Sequence, residues 1–93
     1  MYKLLIPDQV ANLIREMHPL IKKKIRGSLK EIIADPHCGK PLKEELEGLR
    51  SFRVNKFRIV YRISERRVIE IITIGPRKKI YEETFRIIKR EKI

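Results

Sequence analysis

Leu49-Arg50-Ser51-Phe52-Arg53-Val54-Asn55-Lys56-Phe57-Arg58-Ile59-Val60-Tyr61-Arg62-Ile63 is the stretch on which the fold turns. Phe52 and Val54 fall on one side of an extended chain and Arg53 on the other. Beyond Asn55-Lys56, the residues Phe57, Ile59, Tyr61 and Ile63 share a side, opposite Arg58 and Arg62. A period of two is that of a β-strand with one apolar face. Two such strands in succession predict a hairpin whose polar face carries arginine.

Downstream, Ser64-Glu65-Arg66-Arg67 predicts a turn, and Val68 to Ile74 is a nearly continuous β-branched run. That run predicts a strand buried on both faces. Gly75-Pro76 ends it, and Tyr81, Phe85 and Ile88 mark a short amphipathic helix. Upstream, Tyr2 to Ile6 predicts a first strand stopped by Pro7. Asp8 then stands as the cap of a helix whose stripe is Val10, Leu13, Ile14 and Met17. Pro19 opens a second helix with the stripe Ile21, Ile25, Leu29, Ile32 and Ile33, ended by Asp35-Pro36. Residues 35–49 form a polar connection with a short turn around Leu42 to Leu46. The expected fold is α+β in the order β-α-α-β-β-β-α. It has an antiparallel sheet with the two N-terminal helices on one face. Residues 1–93 are expected to form a single domain.

Charge narrows the function. Lys and Arg number 23 against 12 Asp and Glu, a net of +11. Residues 1–49 hold nine basic and seven acidic side chains, a net of +2, while residues 50–93 hold fourteen and five, a net of +9. A field so concentrated suits a polyanion, since each phosphate neutralised releases condensed counterions. No run approaches the roughly 20 apolar residues of a membrane span, and the N-terminal apolar run is too short for a secretory signal. Cys38 stands alone, so no disulfide framework is expected and a reducing cytoplasm is the natural home.

Spacing excludes several chemistries. His37 and Cys38 are adjacent rather than at metal-ligand spacing, so neither a metal nor a cofactor is expected. No Ser-His-Asp arrangement and no glycine-rich phosphate loop is present. His18 and His37 read as surface or capping residues, and Glu44, Glu45 and Glu47 as a solvated loop. The candidate site is then Arg53, Lys56, Arg58, Arg77, Lys78, Lys79 and Tyr81. Arg62 extends the same face, and Lys22, Lys23, Lys24, Arg26 and Lys30 form a basic helix surface. Guanidinium forks match phosphate oxygens, and an aromatic ring stacks on an unpaired base. Such a cluster suits either RNA binding alone or stabilisation of a pentacoordinate phosphorane.

Several marks occur here in a particular order. They are Leu46-Glu47-Gly48-Leu49, then Phe57-Arg58-Ile59-Val60-Tyr61, then Val68 to Ile74, then Gly75-Pro76-Arg77, with Tyr81 four residues on. In this order and spacing the chain resembles the RelE/ParE toxin superfamily over nearly its whole length. The resemblance implies a type II toxin, and for RelE-like members a ribosome-dependent endoribonuclease that cuts mRNA in the A site by 2′-OH attack. It implies that Arg58 and Arg77 stabilise the scissile phosphate, that Arg77 helps protonate the leaving oxygen, and that Tyr81 orients a base. Arg53 takes the place of a family lysine that activates the nucleophile. A second family lysine is here Asn55, with Lys56 beside it, so the general base stays open. Implied partners are mRNA on the ribosome and an acidic antitoxin that displaces the helix around Phe85. The ParE branch implies a DNA gyrase inhibitor instead, and a non-catalytic RNA or ribosome binder is the third alternative.

Overall fold

The computed structural model describes residues 1–91; the last two positions of the expected 1–93 domain lie outside it. Its elements are β1 (Lys3–Leu5), α1 (Asp8–Arg15), α2 (Pro19–Ala34), β2 (Lys40–Pro41), β3 (Leu49–Val54), β4 (Phe57–Ser64), β5 (Val68–Pro76) and α3 (Ile80–Glu91). The five strands form one sheet in the order β1-β5-β4-β3-β2. The α+β fold is the expected one. The expectation of a wholly antiparallel sheet is corrected, because β1 lies parallel to β5, with Leu4 opposite Ile69. A parallel pair needs a long crossover, and the chain between residues 5 and 68 supplies it. Alternation reports which residues form a strand but not which neighbour it takes. The two-residue β2, paired with Ser51 and Arg50 of β3, is too short to leave a periodic signal.

Helix boundaries follow local chemistry. Pro19 occupies the first turn of α2, and the His18 side chain caps it by accepting from the Leu20 N–H at 3.2 Å. The helix stops at Ala34 because Asp35 precedes proline and adopts φ −146, ψ 88. Asp8 does not cap α1 as expected. The boundary falls on Pro7, and Asp8 sits inside the first turn without a capping bond. There its carboxylate acts on the helix dipole.

Both faces of the sheet are covered. On one, α1 and α2 bury Val10, Ile25, Leu29 and Ile32 against Val54, Ile59, Tyr61, Ile69, Ile71 and Ile74. On the other, α3 buries Ile80 over Leu49, Val60 and Ile72. A register shift at Val60/Tyr61 explains how β5 serves both, since Val60 pairs with Thr73 but Tyr61 with Ile71. One extra residue lets Ile71 and Ile74 face the first core while Ile72 faces the second. Each fully buried aliphatic side chain contributes about 1.5–3 kcal/mol, so a 93-residue chain gains from using both sheet faces. The stripe of α3 is Ile80 and Thr84, with Ile87 and Ile88 beside them. Phe85, read as part of the stripe, is 42% exposed.

Candidate nucleic-acid interface

The hairpin of β3 and β4 sets the geometry. Asn55 at its tip has φ +55, a left-handed conformation that asparagine tolerates better than most residues. The register puts Arg53 directly opposite Arg58. Their neighbours Phe52, Val54, Phe57 and Ile59 pack into the core beneath α1 and α2, so the two arginines project from the other face. Two like charges directly across a ladder repel. Each head is turned to a local acceptor: Arg53 Nε donates to the Asn55 carbonyl at 3.3 Å, and Arg58 Nη1 to Ser51 Oγ at 3.0 Å.

The chain leaving β5 closes the site. Gly75 pairs with Arg58, and the Arg77 N–H donates to the Lys56 carbonyl at 2.9 Å. That bond holds the Arg77-Lys78-Lys79 turn against the hairpin tip. Arg53, Asn55, Lys56, Pro76, Arg77, Lys78 and Lys79 thereby line a hollow of about 660 Å³. Five of these seven residues are cations and none is acidic. None of the five is in an ion pair among the described residues. Unneutralised cations around a concavity focus potential on an entering anion.

Arg58 and Tyr81 lie beside the hollow rather than in its wall. The Tyr81 hydroxyl donates to Ser51 Oγ at 3.4 Å, the same oxygen that accepts from Arg58. The Tyr81 ring lines a neighbouring cleft of about 310 Å³ with Lys40, Pro41, Leu42, Lys43 and Leu46. Arg58 Nε is buried without a hydrogen-bond partner among the described residues. A buried guanidinium nitrogen left open is costly unless an acceptor arrives.

The other expected residues are dispersed. Arg62 shares the face of Arg58 but is held by Glu70 at 2.7 Å and Glu91 at 3.3 Å, and the Glu70 bond pushes its pKa up. It is neutralised locally and contributes little to an anion site. Lys22, Lys23, Lys24, Arg26 and Lys30 lie on α2, against the opposite sheet face. Of these Lys24 lines a groove at the hairpin, with Gly27, Ser28, Glu31 and Phe52 to Asn55, and the other four do not line it. Glu44, Glu45 and Glu47 line neither the hollow nor the cleft. Among the described residues no three His, Cys, Asp or Glu side chains gather as a metal-ligand set. No helix of the described residues is long and apolar enough to cross a membrane. Two contributors escaped the sequence reading, Ser51 and the Lys40–Leu46 wall. Ser51 was within reach of it, lying two residues from Arg53 and so on the same strand face.

Residues 8–81 match the family model of the ParE toxin of the type II toxin–antitoxin system parDE. None of the curated proteins matches the chain. Among solved structures, the chain is similar to a mutant of the E. coli toxin RelE in the free state, with TM-score 0.75 and 16% identity over 96% of each chain. It is similar to the RelBE2 toxin–antitoxin complex of Mycobacterium tuberculosis, with TM-score 0.72 and 24% identity over 82% of this chain and 98% of that one. For the YoeB–YefM complex of Staphylococcus aureus the values are 0.65 and 25%, over 81% and 95%.

Proposed function

This chain belongs to the ParE toxin family, within the RelE/ParE superfamily of type II toxin–antitoxin toxins, and from that premise we propose that it is an endoribonuclease cleaving mRNA in the ribosomal A site. The observation that carries this reading is the five-cation hollow, with Arg58 paired across the ladder to Arg53 in its wall. Cleavage by the neighbouring ribose 2′-OH passes through a phosphorane bearing extra negative charge. Arg58 and Arg77 flank that charge, and fixed cations in a partly enclosed site stabilise it far more than water does. Arg53 keeps its proton, so it serves as a cation and not as a base. Tyr81 presents its ring to a base from the adjoining cleft. An antitoxin is the second partner; solved relatives are bound to theirs.

Primer extension on translated mRNA with added protein tests the proposal. Cuts in the A site are expected, falling about 10²-fold or more with Arg58→Ala or Arg77→Ala. Absence of A-site cuts by the wild type, or full activity of Arg77→Ala, rejects it. The matching family model favours one other reading, gyrase inhibition. A supercoiling assay distinguishes the two, since the endonuclease leaves gyrase untouched.

A further inference from the structure

Ser51 sits on β3 beneath α3 and is 2% exposed. It pairs with Val60, which makes Arg58 its diagonal neighbour on the same face. A buried hydroxyl is ordinarily satisfied, and this one accepts twice, from Arg58 Nη1 at 3.0 Å and from Tyr81 Oη at 3.4 Å. Among the described residues these are the only side-chain hydrogen bonds that Arg58 and Tyr81 make. One oxygen thus joins a cation on the sheet to an aromatic ring on the helix. It also sets where the cation points. Arg53, directly opposite Arg58, turns toward the hairpin tip at Asn55, whereas Arg58 turns back toward Ser51. The two acceptors draw like-charged heads in opposite directions along the strands.

We propose that Ser51 is a positioning residue of the RNA site, holding the Arg58 guanidinium and the Tyr81 ring in the arrangement that receives a phosphate and its base. This rests on the function proposed above. Without the hydroxyl, Arg58 loses its one acceptor while its Nε already has none, and the head is free to swing. Ground-state binding through the hollow survives, because Ser51 does not line it. The stabilisation lost belongs mainly to the transition state, where orientation matters most.

A double-mutant cycle tests this on the full chain. Ser51→Ala is a one-atom deletion and is expected to stay folded while melting a few degrees below the wild type, since two donors lose their acceptor. In ribosomal cleavage it lowers kcat about tenfold and moves KM by less than about twofold. In a Tyr81→Phe or Arg58→Lys background its effect shrinks, because the partners act through one oxygen. A parallel fluorescence-anisotropy titration reads affinity for a short single-stranded RNA, which Ser51→Ala is expected to leave within about twofold of the wild type. Ser51→Ala with unchanged kcat, or effects fully additive with both partner substitutions, overturns the proposal. A wild type that binds RNA but cuts nothing defeats the endonuclease reading alone; the NMR signal of the Arg58 guanidinium, expected to shift in Ser51→Ala and overturning the role of Ser51 if it does not, then decides whether the hydroxyl holds that head. Failure of the wild type to bind RNA defeats both.

Discussion

Tyr61 and Gly39 meet where the connection after α2 crosses the sheet. The Tyr61 hydroxyl donates to the Pro36 carbonyl at 2.7 Å and accepts from the Gly39 N–H at 3.0 Å. Burial pushes its pKa up to about 12. The neutral phenol is therefore the form the fold binds. Its contribution is complete below pH 10, the unfolded value, and is lost as pH rises toward 12. Denaturant midpoints taken across that window should fall for the wild type and fall less for Tyr61→Phe. At neutral pH the same substitution costs about 1–3 kcal/mol, by leaving the Pro36 carbonyl and the Gly39 N–H without their partner. Gly39 carries a related constraint, since a Cβ there would collide with the Tyr61 hydroxyl. Gly39→Ala is expected to lower stability by about 1–3 kcal/mol, readable in the same unfolding curves. Nothing in the sequence pairs these two residues, which lie 22 positions apart. Tyr61 read as an ordinary inward strand residue; that it also ties down a loop depends on what tertiary structure laid against it.

At the scale of elements, α2 carries five cations that read alike in the sequence yet stand differently toward the site. Lys24 borders the groove that contains Arg53 and Asn55, whereas Lys30 does not line it. Lys24→Glu should weaken RNA binding several-fold in an anisotropy titration, and Lys30→Glu should stay within about twofold. Equal losses would mean that α2 acts only through net charge. On β4, Arg62 and Arg58 also read alike, as neighbours on one polar face. Glu70 on β5 and Glu91 on α3 remove Arg62 from that set. Arg62→Ala should therefore leave RNA affinity near wild type and lower stability by at most about 1 kcal/mol, as expected for a partly exposed pair. Strand alternation assigned the face of each arginine correctly. The carboxylates came from elements whose pairing alternation does not report.

For the whole molecule, the charge asymmetry becomes a geometric one. Five of the fourteen cations of the basic second half gather where the β3–β4 tip meets the turn after β5. If a single strand of RNA contacts all five cations of the hollow, log affinity should fall with log salt at a slope of about −3 to −4. Arg77→Ala should flatten that slope by somewhat under one. A slope near zero would mean that the hollow does not grip phosphate.

By itself the sequence determined the α+β class, the order of its main elements, the hairpin at Asn55-Lys56 and the arginine-bearing face, along with the resemblance that the family match supports. These follow from local periodicity and breakers, which act over a few residues. Tertiary structure alone decided that β1 runs parallel to β5, that Arg62 is neutralised, and that Ser51 joins Arg58 to Tyr81. Each of those depends on strand register and helix docking, where residues far apart in the chain come within 3–4 Å of one another, and a one-residue slip would turn every side chain to the opposite face.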